Sequence, residues 1–101
     1  MIDLDFSFES KVWLWQAEKG AWHFATLPSD MSDDIKAFTA HLARGFRSVK
    51  VEARIGDTVW KTSIFPSKER GAYILPLKAA VRKAEGIDLE DTVHIDLTIP
   101  T

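Results

Sequence analysis

The sequence predicts a mainly β domain with two helices, built from two copies of a β-β-α-β unit. Apolar and polar residues alternate with a period of two in several segments, most clearly over residues 48–55, which is typical of strands. Apolar residues recur at helical spacing after two Leu-Pro steps, Leu27-Pro28 and Leu75-Pro76. A Gly-Ala-aromatic tripeptide precedes each step, at Gly20-Ala21-Trp22 and at Gly71-Ala72-Tyr73.

The composition fits a single domain spanning residues 1–101. Its 46% of apolar residues is enough for one modest core, and 101 residues are too few for two domains. The absence of cysteine excludes disulfides, thiolate nucleophiles and cysteine metal sites. No apolar run approaches the roughly 20 residues that span a bilayer, and residues 1–5 lack the basic start of a signal peptide. We therefore expect a cytoplasmic protein with no membrane partner, for which a monomer is plausible.

The first unit begins with a long strand over residues 4–16. Apolar residues at even positions define its buried face: Leu4, Phe6, Phe8, Val12 and Leu14. Trp13 and Trp15 fall on the other face. Because tryptophan is seldom left bare, we expect the core or a helix to cover them, in preference to a ligand. Ala17–Gly20 is then expected to form a hairpin loop with positive φ at Gly20, and residues 21–27 form the returning strand.

A helix is predicted after Pro28. Four apolar residues at spacings of four, three and four define its buried face: Met31, Ile35, Phe38 and Leu42. Ser32 is expected to cap its start and Gly45 to end it.

The second unit follows the same order. Residues 48–55 and 58–65 form strands joined by a turn at Gly56-Asp57, and a loop over residues 66–71 leads to a short strand over residues 73–75. Pro76 is expected in the first turn of the second helix, whose apolar stripe comprises Leu77, Ala80, Val81 and Ala84. Gly86 is expected to end that helix, and residues 92–99 form the last strand.

The two units therefore cover residues 4–55 and 58–99. Each reads as strand, glycine hairpin, strand, Leu-Pro, helix and strand, and one unit alone has no partner for its apolar faces.

The chain also resembles known families. Residues 75–87 and Glu90–Ile95 resemble the swapped-hairpin AbrB type, in which a strand enters a helix through proline and an acidic turn leads into a strand. The whole chain resembles a family of small bacterial and archaeal domains of unknown function, which occur alone or fused to YdeI/OmpD-associated domains. The segments that carry this likeness are Phe6, Gly20-Ala21-Trp22, Leu27-Pro28, Val49-Lys50-Val51, Ile55-Gly56, Gly71-Ala72-Tyr73, Leu75-Pro76 and Asp91-Thr92-Val93. The resemblance implies a single-chain double-split β-barrel with helices capping its ends, and it transfers no catalytic residue.

The residues indicate no known catalytic chemistry. His23, His41 and His94 lack metal-ligand spacing, and phosphate-loop, dinucleotide-binding and nucleophile-elbow motifs are absent. A helix start and a turn explain the paired carboxylates Asp33-Asp34 and Glu90-Asp91. We expect no metal, no cofactor and no catalytic residue. An acid–base pair from distant parts of the chain stays open as an alternative, and with it an enzyme with an unrecognised site.

Positive charge is concentrated in the middle of the chain. Residues 44–70 hold seven basic and three acidic residues, although the net charge of the chain is −2. We select five cations as candidates for binding an anion or a nucleic acid: Arg47, Lys50, Arg54, Lys68 and Arg70. Glu52 lies between two of them, and the isoelectric point of about 5.9 is far below that of typical nucleic-acid-binding domains.

Two binding functions are weighed on this basis. The leading expectation is a non-enzymatic binding or accessory module that engages a protein or an anionic ligand. The alternative is AbrB-like nucleic-acid binding through the basic segment 44–70. DNA is the less favoured partner, because a single-chain barrel loses one reason for the two-fold symmetry of an operator.

Overall fold

The computed structural model describes residues 4–40 and 48–100. Within these ranges the elements in chain order are β1 (Leu4–Lys11), β2 (Trp13–Ala17), β3 (Gly20–Thr26), α1 (Ser29–Thr39), β4 (Val49–Ile55), β5 (Thr58–Ser67), β6 (Ala72–Pro76), α2 (Ala79–Glu85) and β7 (Thr92–Ile99). The prediction of a mainly β fold with two helices is confirmed. Neither described helix is long and apolar enough to cross a membrane.

The seven strands form one antiparallel sheet that curls into a half-barrel, in the order β1-β7-β4-β5-β6-β3-β2. Strand β5 bends so that its first part, Thr58–Ile64, pairs with β4 and its last part, Phe65–Ser67, pairs with β6. At the two ends of the order lie β1 and β2, which are separated in the chain only by Val12. The backbone of Val12 exchanges hydrogen bonds with the backbones of Glu90 and Asp91. The loop before β7 therefore fixes the position of the residue that joins β1 to β2.

The core lies on the inner face of the curled sheet. Alternate residues of β4 and of β7 are buried, as the period-two pattern predicts: Val49, Val51, Ala53, Ile55, Val93, Ile95, Leu97 and Ile99. The β5 residues Trp60 and Ile64 are buried against them. In β1 the pattern is weaker, because Phe8 is buried whereas Leu4 and Phe6 are only partly covered.

The start of α1 differs from its prediction. The helix begins at Ser29, and Ser32 lies inside it, where it is buried and accepts a hydrogen bond from the Tyr73 N–H at 3.0 Å. The expected N-cap role of Ser32 is therefore wrong: its hydroxyl serves the backbone of β6, which a larger apolar side chain would leave unpaired.

The buried face of α1 is also shifted. It consists of Ser32, Ile35 and Thr39, whereas Phe38 is exposed. The prediction placed Phe38 on the buried face because it considered only apolar residues. The small polar side chains of Ser32 and Thr39 face the core instead. Leu42 and Gly45, which were expected to complete this helix, lie outside the described residues.

The start of α2 differs as well. Pro76 is the last residue of β6, and the helix begins only at Ala79. Leu77 and Lys78 therefore lie between the proline and the helix. Two residues of the predicted stripe are buried, Leu77 before the helix and Val81 within it. Ala80 and Ala84 are exposed, which contradicts the predicted stripe. Gly86 ends the helix in the left-handed conformation, with φ of 62°, as expected.

The hairpin before β3 is tighter than predicted. Strand β2 runs to Ala17 and β3 starts at Gly20, so only Glu18 and Lys19 form the turn. Gly20 is paired in the ladder and does not have positive φ, contrary to expectation. The turn at Gly56-Asp57 is confirmed, with φ of 57° at Gly56.

Candidate functional site

The outer face of the β2–β3–β6 part of the sheet carries aromatic side chains. In the β2–β3 ladder Trp13 lies opposite Phe24 and Trp15 lies opposite Trp22. Directly opposed residues of an antiparallel pair share a face, so all four rings are on one side of the sheet. The rings of Trp13 and Phe24 are 5.2 Å apart between centroids and tilted by 33°. A two-residue turn sets this register and thereby assembles the ring cluster.

The large apolar side chains of this face are unusually exposed. Trp15 is 44% exposed, Trp22 56% and Phe65 40%. The expectation that the core or a helix covers Trp15 is therefore wrong, because both helices pack elsewhere. Trp13 is half-buried. Its indole N–H donates to Thr26 Oγ1 at 2.7 Å, and the Arg70 guanidinium lies 3.7 Å from the ring centroid. Such a stack holds cation and ring against each other.

The exposed rings form one wall of an open cleft of about 1070 Å³. We call it the aromatic cleft. Its apolar wall comprises Trp15, Trp22, Phe24, Phe65 and Pro76, and Pro100 lines the cleft from the end of β7. The opposite wall belongs to β4, β5 and β7 and is polar: Lys50, Glu52, Lys61, Thr62, Ser63 and Thr98 line it, beside Val51. The bend of β5 joins the two walls, since Lys61 and Ser63 precede the bend and Phe65 follows it.

The charges of the polar wall form no ion pair with another described residue. Lys50 lies opposite Ser63, and Glu52 opposite both Lys61 and Thr98. Among residues 4–40 and 48–100 the one ion pair within 4.0 Å is His94–Asp96, so neither lysine contacts a carboxylate there. Two ammonium groups on adjacent strands are thus free to meet one anionic ligand, with a single carboxylate between them.

The five predicted cations do not share one location. Lys50 lines the aromatic cleft. Arg54 donates from its Nε to the Gly56 carbonyl at 3.0 Å and lies opposite Asp96 in the β4–β7 ladder. Lys68 is exposed in the turn between β5 and β6, and Arg70 lies on Trp13 at the end of that turn. Arg47 lies outside the described residues.

Sequence reasoning missed the aromatic wall. Trp22, Phe24, Phe65 and Lys61 were not among the predicted site residues, although Lys61 is one of the seven basic residues of segment 44–70. One signal was available. Trp13 and Trp15 interrupt the alternation of their strand, and a two-residue turn at Glu18-Lys19 places Trp22 and Phe24 directly opposite them. The contribution of Phe65 depends on the bend of β5, which no local pattern marks.

The histidines occupy separate environments. His23 is half-buried in β3. Its Nδ1 has no partner among the described residues, and its Nε2 lies 3.5 Å from Arg82 Nη1. Burial, and then the neighbouring Arg82 charge, lower the pKa of His23 below its ordinary value. The neutral form of His23 therefore predominates at pH 7. His94 is exposed in β7, and His41 lies outside the described residues.

A serine, a histidine and an aspartate meet on the outer face of β1 and β7, but not in a catalytic arrangement. Ser7 Oγ donates to Asp96 Oδ1 at 2.5 Å, and His94 Nε2 lies 3.2 Å from the same oxygen. The hydrogen bond from Ser7 is the main reason that the pKa of Asp96 lies below its usual value. A nucleophilic serine needs the histidine as its own base, whereas here both contact the carboxylate.

A second, smaller pocket of about 360 Å³ lies between α2 and the start of β7, near Glu85, Asp91 and His94. Asp91 Oδ2 accepts the Asp88 N–H at 2.8 Å, and Glu85 Oε2 accepts the Thr58 hydroxyl at 2.6 Å. Both carboxylates therefore serve the local fold. In the described part of the chain no three histidine or acidic side chains are grouped to hold a metal ion.

Comparison with known proteins places the chain in a family. A family model for a domain of unknown function, DUF1905, matches residues 8–97. The chain belongs to the DUF1905 family. The match runs from Phe8 in β1 to Leu97 in β7, so it spans the curled sheet and most of the aromatic cleft. The predicted likeness to a small domain family of unknown function is thereby confirmed. No curated protein sequence matches this DUF1905 domain significantly.

Proposed function

We propose that this DUF1905 domain is a non-enzymatic binding module whose aromatic cleft holds a ligand with a flat apolar part and an anionic group. One observation carries the proposal: Trp15, Trp22 and Phe65 are exposed together and face a wall with two lysines that pair with no described carboxylate. Exposing large aromatic side chains to water is costly, and a contiguous exposed apolar patch marks a binding surface. The neighbouring lysines favour an anion over a neutral ligand.

The composition of the cleft supports binding over catalysis. Among the described residues that line it there is no histidine, and Glu52 is the one carboxylate. Glu52 is exposed on the open surface of β4 rather than enclosed in a water-excluding pocket. A general acid–base pair would need a second carboxylate or a histidine within hydrogen-bond distance of the same substrate. Beside Glu52, the described lining of the cleft supplies only the two lysines as charged groups.

A second proposal concerns the architecture of the half-barrel. We propose a single-chain, AbrB-like double-split β-barrel of two β-β-α-β repeats, residues 4–55 and 58–99. Two reciprocal hydrogen bonds support it: the Leu27 N–H donates to the Tyr73 carbonyl, and the Leu77 N–H donates to the His23 carbonyl. On this basis Leu27 corresponds to Leu77, although the repeated Leu-Pro steps had aligned Leu27 with Leu75.

An anionic and a neutral naphthalene dye test the function. We expect 1-anilinonaphthalene-8-sulfonate to bind the folded domain and to gain fluorescence. N-phenyl-1-naphthylamine has the same rings without the sulfonate and should bind more weakly. Adding salt should reduce this difference, because screening weakens the attraction between exposed lysines and the sulfonate.

Two pairs of variants assign the dye to the cleft. Trp22→Ala should weaken both dyes, and Lys61→Ala should weaken only the anionic one. The matched controls are Phe38→Ala, an equally exposed aromatic on α1, and Lys83→Ala, an exposed lysine on α2. Equal affinity for both dyes, or equal losses in the controls, would overturn the proposal.

A further inference from the structure

The aromatic wall offers more flat surface than one small ring needs. Trp15 and Trp22 lie side by side on β2 and β3, Phe24 follows along β3, and Phe65 stands across β6 on the last part of β5. These rings line a continuous, open-sided cleft. Successive bases of a single strand stack on exposed aromatic side chains, and each such contact strengthens binding about 5- to 150-fold.

The polar wall matches the phosphates that accompany such bases. Lys50 lies opposite Ser63, while Lys61 is two residues before Ser63 on β5, so the two lysines are diagonal neighbours on one face. Diagonal positions on paired strands are about 7–8 Å apart. From this spacing, the long and flexible lysine side chains reach neighbouring phosphates of one strand. The Ser63 and Thr98 hydroxyls, which line the same wall, are donors for phosphate or base-edge oxygens.

The same features disfavour a duplex. In double-stranded nucleic acid the flat faces of the bases are stacked inside, so exposed tryptophans would meet sugar and phosphate. Duplex affinity depends on many phosphate contacts, whereas the described lining of the cleft offers two lysines and carries Glu52 between them. A net charge of −2 adds no long-range attraction.

From this arrangement we infer that the aromatic cleft binds single-stranded nucleic acid, with bases stacked on Trp15 and Trp22 and phosphates at Lys50 and Lys61. The inference rests on the proposed function and names the ligand class of the same site.

Fluorescence anisotropy with a labelled oligothymidylate of about 12 nucleotides tests the inference. We expect micromolar binding at about 50 mM salt. If both lysines meet phosphates, the slope of log K against log salt should be about −1.4, and Lys61→Ala should bring it to about −0.7. A duplex of equal length should bind at least tenfold more weakly.

Three variants separate stacking from charge. Trp22→Ala should weaken binding roughly 5- to 150-fold. Glu52→Gln should strengthen it about 1.5- to 5-fold, a gain that loss of folding cannot produce. The controls Phe38→Ala and Lys83→Ala should leave the affinity unchanged.

The outcomes distinguish this inference from the broader proposal. If the oligonucleotide fails to bind at about 100 µM protein, or if the duplex binds equally well, the inference is wrong. In that case the dye experiment still stands on its own, because anionic dye binding that depends on Trp22 and Lys61 supports a small-molecule site. Failure of both probes overturns both.

Discussion

Replacing Leu75 by alanine lowers the free energy of unfolding by about 2–5 kcal/mol. Leu75 has no exposed surface, and with Ala25 of β3 it forms the middle pair of the β3–β6 ladder. This ladder joins the first half of the chain to the second. Because Ala25 is already small and fixed by its strand, it cannot move into the space that the missing side chain leaves, so a cavity remains.

Urea denaturation of the wild type and of Leu75→Ala measures this loss. Leu89→Ala is the matched control, because Leu89 is 42% exposed outside the helices and strands. Its effect should stay within about 0.5 kcal/mol. Equal stability of the two variants would show that the β3–β6 ladder is not part of the core.

Replacing Ser32 by alanine is expected to cost about 1–3 kcal/mol, since it leaves the buried Tyr73 N–H without an acceptor. Alanine has the higher helix propensity, so the change favours the helix itself and any loss reports the missing hydrogen bond. The Tyr73 amide should also exchange its hydrogen faster in this variant.

Ser29→Ala serves as the control, because Ser29 is an exposed residue at the start of the same helix. Denaturation and amide exchange of the two serine variants should therefore differ. A Ser32→Ala variant as stable as wild type would mean that water or a shift of the helix satisfies the Tyr73 amide.

The sheet was largely predictable from local patterns, whereas the starts of the two helices were not. Alternation in β4 and β7 reports directly which residues are buried, because both strands have one covered face. The position of Ser32 depends on a strand 41 residues later in the chain. A local capping rule therefore assigned the hydroxyl to the wrong backbone group.

The candidate site was only partly predictable. Lys50 was identified from charge alone, and it does line the aromatic cleft. The sequence could not show that the other predicted cations among the described residues lie outside the cleft. Their distances from Lys50 depend on the bend of β5 and on the stacking of Arg70 over Trp13. Tryptophan burial was judged from the average behaviour of the residue. That average fails where a sheet face has no helix to cover it, as at Trp15 and Trp22.

The indole N–H signals of the four tryptophans in a nitrogen–proton correlation spectrum test the central claim most directly. Trp15 and Trp22 line the cleft, Trp13 is held by Thr26 and Arg70, and Trp60 is buried in the core. On titration with the anionic naphthalene dye, we expect the signals of Trp15 and Trp22 to move in proportion to occupancy while that of Trp60 stays fixed. Binding that leaves the Trp15 and Trp22 signals in place would contradict the assignment of the cleft as the ligand site.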